Sequence, residues 1–172
     1  MQEFMMRVIA GIDPVNAEYI ARDSDIVHEF DWAYRDMKAG NKREAVWSLR
    51  RAKHLISKFR EKRLTPRNVK PGDGVTVVLW SDRYAGTVIK VTESMVVVRR
   101  DTAILDPNFK PDIIPGGFAG HCINQNEQTY SYRPNPDGEI YKFRWSNKFQ
   151  SYGRPRHRML IKGRHEFYDY NF

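Results

Sequence analysis

His121 and Cys122 are the nearest this chain comes to a nucleophile beside its base, with His165 or Asp101 as the available helpers. Successive side chains of an extended chain point to opposite faces, so His121 is poorly placed to activate Cys122. A packed cysteine next to a hydrogen-bonded histidine is the expected arrangement. The run Gly116-Gly117-Phe118-Ala119-Gly120 could cradle a phosphate with its amides. No phosphate-loop lysine with Ser or Thr follows, and no helix start is evident, so a plain loop is expected. The five histidines, at 28, 54, 121, 157 and 165, include no close pair at ligand spacing, and the single cysteine excludes an internal disulfide and a cysteine zinc site. No enzyme, no metal and no other cofactor are expected.

Binding chemistry is better represented. Trp47, Arg50, Arg51, His54 and Lys58 recur at helical spacing as a basic stripe tipped by an aromatic ring, with Lys53 and Arg60 nearby. Such cations would neutralise phosphates while Trp47 stacks on a base. A solvated helix face is the plain alternative. A second cluster holds Arg154, Arg156 and Arg158, followed by Lys162 and Arg164. Ser81, Asp82, Arg83 and Tyr84 stand between two apolar runs. There Arg83 could grip a phosphate or carboxylate bidentately with Asp82 orienting it, or the pair could brace the turn and a distant loop; bracing is narrowly preferred. Tyr130, Tyr132, Tyr141, Phe143, Trp145 and Tyr152 suit either a base-stacking sheet face beside Arg133 and Arg144 or cross-strand packing in a core, and the two stand level.

The chain has 172 residues and a formal charge of +8, unevenly placed. Residues 1–40 carry four Lys or Arg against eight acids, residues 41–70 eleven against two, and residues 71–172 fourteen against eleven. The excess sits in one helix-sized segment, the footprint of a protein that meets polyanions. No run reaches the apolar length of a bilayer span, so no membrane partner is expected. The opening MQEFMMRVIA lacks a charged stretch leading into a long apolar one, so no secretory signal is expected, and with one cysteine this points to a reducing cytoplasm.

Those residues need elements to hold them. Asp13-Pro14 reads as a helix start, with Asp as N-cap, a break near Asp23-Ser24 and Gly40 as the stop. Asn41 with Glu44 reads as a capping box opening a second helix, in which Ala45, Leu49, Ala52, Ile56 and Phe59 form a core stripe. Residues 13–63 are thus expected to form a helical hairpin. The Ala45/Leu49/Ala52 spacing looks like a tetratricopeptide helix, but no second copy exists to make an array. Beyond Pro66 strands are expected at Val75–Trp80, Gly86–Thr92 and Met95–Arg100, the last two joined by Glu93-Ser94. A long ordered loop without regular structure is expected over residues 104–126. Strands resume at Glu127–Arg133 and Ile140–Trp145 around an Asn-Pro-Asp-Gly turn, with two more at Met159–Ile161 and Glu166–Phe172, the apolar end being docked. The fold class is α+β: a helical hairpin (domain 1–65) plus a strongly bent SH3-like antiparallel β-barrel (domain 66–172).

From Pro71 onward particular words stand out: Gly72-Asp73 with Thr76; Ser81-Asp82-Arg83 with Ala85 and Thr87-Val88; Asp101 and Ala103; Pro107-Asn108-Phe109-Lys110-Pro111; Pro115 to Cys122 with Asn124-Gln125; and Gly163 to Tyr170. In these the chain resembles a family of small accessory proteins carried by bacteriophages and other mobile elements of Gram-positive and gut bacteria. The resemblance implies the company of proteins that counter host defences, anti-CRISPR proteins among them. The helical hairpin lies outside it.

Together these readings lead to a non-enzymatic protein that binds DNA, RNA or a nucleic-acid-loaded host effector such as a CRISPR nuclease, and inhibits it in the bacterial cytoplasm. Trp47, Arg50, Arg51, Lys53, His54, Lys58 and Arg60 would make the contact, extended by Arg83, Arg154, Arg156 and Arg158. Two alternatives stand beside it: a sponge for a signalling nucleotide, with a pocket of Asp82, Arg83, Phe118 and Tyr130, and a virion assembly protein. Dimerisation through the helices is open.

Overall fold

The computed structural model describes residues 1–116 and 120–171. Among them are four α-helices: α1 (Gln2–Ile12), α2 (Ala17–Ile20), α3 (Ser24–Lys38) and α4 (Lys42–Lys62). Ten β-strands follow: β1 (Gly74–Val78), β2 (Arg83–Val91), β3 (Met95–Arg100), β4 (Thr102–Leu105), β5 (Ile113–Ile114), β6 (His121–Cys122), β7 (Tyr130–Arg133), β8 (Ile140–Ser146), β9 (Ser151–Arg154) and β10 (Arg158–Lys162). Six of them close an antiparallel barrel in the order β1-β10-β9-β8-β3-β2, while β4–β7 and β5–β6 form separate two-stranded sheets. The chain is therefore α+β with a closed barrel. No helix among the described residues is long and apolar enough to cross a membrane.

Helical structure begins well before the Asp13-Pro14 signal places it. Asp13 accepts hydrogen bonds from Asn16 N (3.1 Å) and Asn16 Nδ2 (3.0 Å), so it ends α1 and holds a turn instead of capping a helix. Asp23 is the working cap, its carboxylate accepting from Asp25 N and Ile26 N at the start of α3. Gly40, at φ +80°, lets the chain reverse: its N–H donates to Met37 O (3.3 Å) and Asn41 N to Asp36 O (2.8 Å), closing a Schellman motif. Asn41 stands at the N-cap of α4 but its amide donates to Asp36 instead (3.4 Å), so the expected capping box with Glu44 does not form. The stripe on α4 is buried as its spacing predicts, with Leu49 only partly so, against Met5, Ile9, Ile20, Ile26 and Phe30.

The barrel encloses Val75, Val77, Val88, Val96, Val98, Tyr141, Phe143, Tyr152 and Leu160, so three of the aromatic residues weighed for a stacking surface are core residues. β2 passes so close to β3 that a Cβ on Gly86 would lie 2.7 Å from Val98 Cγ1 and 2.8 Å from Arg99 O, which is why a residue without a side chain occupies that crossing. Residues 104–126 are not structureless: the β-branched pair Ile113-Ile114 forms a ladder with His121-Cys122. Of the strand expected at Glu166–Phe172, only an isolated bridge between Phe167 and Arg83 exists, and Phe172 lies outside the described residues. β9 carries no strand signal of its own. It is a short segment set by the closure of the barrel between β8 and β10.

The helices and the barrel are joined by specific contacts. Leu64 and Val69, just beyond α4, are buried in the barrel core. The buried Thr65 hydroxyl donates to Asn16 Oδ1 (2.7 Å), and Trp145 lies edge-on between Tyr19 (5.1 Å) and Tyr152 (5.2 Å).

Candidate polyanion-binding groove

At 3.6 residues per turn Arg43, Trp47, Arg50, His54, Lys58 and Lys62 share one face of α4, all of them exposed. Arg50 and Trp47 border a shallow groove with Lys42 and Arg43. Arg51, at the edge of this face, is already engaged. Its guanidinium lies 4.8 Å from the Trp47 ring and 3.1 Å from the buried carboxylate of Glu29 on α3. Arg60 falls on the opposite flank, where it meets Asp13 at 3.5 Å, and exposed Lys53 shares that flank. The seven residues expected to act together therefore divide. Trp47, Arg50, His54 and Lys58 share a face, whereas Arg51 and Arg60 are drawn off by α3 and by the end of α1.

Arg154 and Arg158 are register partners across β9 and β10, and both border a shallow depression with Lys142, Arg144 and Trp145. Arg158 stacks on Tyr141 (4.5 Å) and Arg154 on Phe149 (6.0 Å). Arg156 is exposed with φ +63° in the connecting turn. Among the described residues no carboxylate borders this depression.

A further concentration of positive charge lies where the end of α4 meets β1 and β10. This groove, about 840 Å³, is bordered by Lys62, Arg83, Lys162, Arg164 and His165 over an apolar floor that includes Val78, Met159 and Ile161. Among the described residues Glu61 is its one acidic neighbour. Arg164 is braced from outside, donating to the buried Asp101 carboxylate (2.7 Å) and the Thr87 hydroxyl (2.8 Å). Lys62, Arg83 and Lys162 form no ion pair among the described residues; Arg83 instead stacks on Phe167 at 5.2 Å. Burial, then the charges of Arg83 and Lys62, hold the His165 imidazole below its usual pKa. Lys62 continues the Lys58 stripe by one more turn, a signal legible in the spacing. Lys162 and His165 are brought to Lys62 by barrel closure, which no local pattern announces.

Asp82 and Tyr130 do not border this groove with Arg83, and Phe118 lies outside the described residues. Asp82 accepts from Asp169 N (3.0 Å), and Arg83 exchanges two backbone bonds of 3.0 Å with Phe167. The Tyr130 hydroxyl donates to Gln128 Oε1 (2.7 Å), and its pKa is pushed up to about 12 by burial and then by neighbouring Tyr170 and Glu166. These bonds belong to a wider network along residues 163–171. Glu166 accepts from Ala85 N (2.6 Å) and Arg100 (3.0 Å), Gln125 accepts from Tyr170 N (3.0 Å), and Asn171 accepts from Cys122 N (2.6 Å) while donating to Cys122 O (3.1 Å). Much of the distinctive wording after Pro71 is thus the stitching of the C-terminal segment to the barrel and its loops. Cys122 is 2% exposed with its thiol donating to Asn124, whereas His121 is exposed. A comparison of the chain with protein-family models, with curated proteins and with solved structures finds no match.

Proposed function

We propose that this chain is a non-enzymatic nucleic-acid-binding protein of the bacteriophage or mobile-element accessory kind. In this reading the barrel is SH3-like, α3 and α4 are its helical hairpin, and the site of action is the bacterial cytoplasm. The target is DNA, RNA or a nucleic-acid-loaded host defence effector such as a CRISPR nuclease, which it inhibits. One observation carries the reading. Arg50, Lys58, Lys62, Arg83, Lys162, Arg154, Arg156 and Arg158 form no ion pair among the described residues, and those on α4 lead directly into the groove beside β10. Unpaired cations gathered on one helix face, in the groove it leads into and around the β9–β10 turn are what a phosphate backbone neutralises.

Fluorescence anisotropy with labelled DNA and RNA over a salt series tests this. Tight binding with a log–log slope of roughly −4 or steeper is expected, as is at least ten-fold weaker binding by an Arg50→Glu/Lys58→Glu variant. Absence of binding at low salt would remove the nucleic-acid reading; an unaffected double variant would take α4 out of the contact.

A further inference from the structure

We infer that the groove between α4 and the barrel takes single-stranded nucleic acid, with phosphates on Lys62 and Lys162 and an unpaired base stacked on Trp80. This rests on the nucleic-acid reading above and names the form that fits the groove. Trp80 is 73% exposed, the most exposed of the large hydrophobic side chains, and has no aromatic or cationic partner among the described residues. It sits on the tight connection between β1 and β2, which is closed by a Leu79 N to Asp82 O bond of 2.9 Å. Val78 and Arg83, register partners at the two ends of that connection, both border the groove. A large flat ring therefore stands on a short, fixed turn whose two ends border the groove. Trp47 differs, because its ring already carries Arg51.

The floor decides between a single strand and a duplex. A duplex offers a protein its phosphates and groove edges, with base faces stacked inside, so an apolar floor and a bare indole would gain nothing from it. A single strand presents both phosphates and base faces, and a basic channel with an aromatic platform is the arrangement that holds it. Lys62 and Lys162 approach from the helix and from the barrel, so a strand lying between them would meet cations on both sides and Val78, Met159 and Ile161 beneath. His165 borders the same groove and is available there as a hydrogen-bonding group.

The experiment compares a labelled single strand with a duplex of equal length, using wild type, Trp80→Ala and Lys62→Gln/Lys162→Gln. Trp80 is so exposed that its removal leaves the fold intact. A single strand should bind at least ten-fold tighter than the duplex, and Trp80→Ala should weaken it about ten-fold while leaving the duplex unchanged. The lysine variant should flatten the single-strand salt slope by about 0.7 per lysine. Equal or tighter duplex binding, an unchanged single-strand affinity in Trp80→Ala, or competition by a mononucleotide as effective as the oligomer overturns this inference and leaves the nucleic-acid reading standing. Failure of the wild type to bind either form at low salt overturns both.

Discussion

Asp101 is a buried carboxylate whose partners are an arginine at 2.7 Å and a threonine hydroxyl at 2.8 Å. Removing the charge would leave Arg164 leaning on a neutral amide and loosen one wall of the groove. Because Arg164 is one-third exposed, water compensates part of the loss. Asp101→Asn should therefore cost about 1–3 kcal/mol, less than breaking a fully buried pair, read as a lower urea midpoint with an unchanged slope. An unchanged midpoint would mean that the pair is incidental. This is a residue whose role the sequence could not disclose. Its partner Arg164 lies far along the chain, and the sequence offered Asp101 as a word of the resemblance and as a helper to a cysteine it does not serve, not as a partner of Arg164.

Among the elements, α4 was the most legible, because its apolar period and its basic face are both local properties. What its spacing could not say is which cations other helices would claim; Glu29 and Asp13 settle that for Arg51 and Arg60. β1, β2 and β3 were legible through β-branched runs and turns, although β2 begins at Arg83, inside the polar cluster read as a loop. β9 and α1 were not legible, since one is imposed by barrel closure and the other depends on packing Met5 and Ile9 against distant helices. The α3–α4 link makes a direct prediction. A Cβ on Gly40 would meet nothing within 4 Å, so the penalty of Gly40→Ala is the left-handed backbone alone, about 1 kcal/mol. Thermal unfolding should show that loss without a change in binding; a stabilised variant would contradict the Schellman geometry.

At the scale of the molecule, two phenols, the fully buried Tyr152 and the half-buried Tyr130, report on distinct regions. Tyr152 lies in the barrel core facing the helices, and Tyr130 lies in the β4–β7 sheet against the C-terminal segment. Burial pushes each from the ordinary 10.0 to about 12, so the folded state holds protons that the unfolded chain releases. Their contribution is complete below pH 10 and is lost as pH rises towards 12. Near-ultraviolet circular dichroism and tyrosinate absorbance should accordingly change together in that window. Ionisation of all tyrosines at their ordinary value, with the fold intact, would show these phenols to be open to water.

The groove has one wall from the helical part and one from the barrel, and a strand lying in it would touch both. Binding free energy would then count as cohesion between the two halves. At a ligand concentration one hundred times the dissociation constant the gain is about 2.7 kcal/mol. A protein assembled this way would be firmest when loaded, and its melting temperature would serve as a gauge of occupancy.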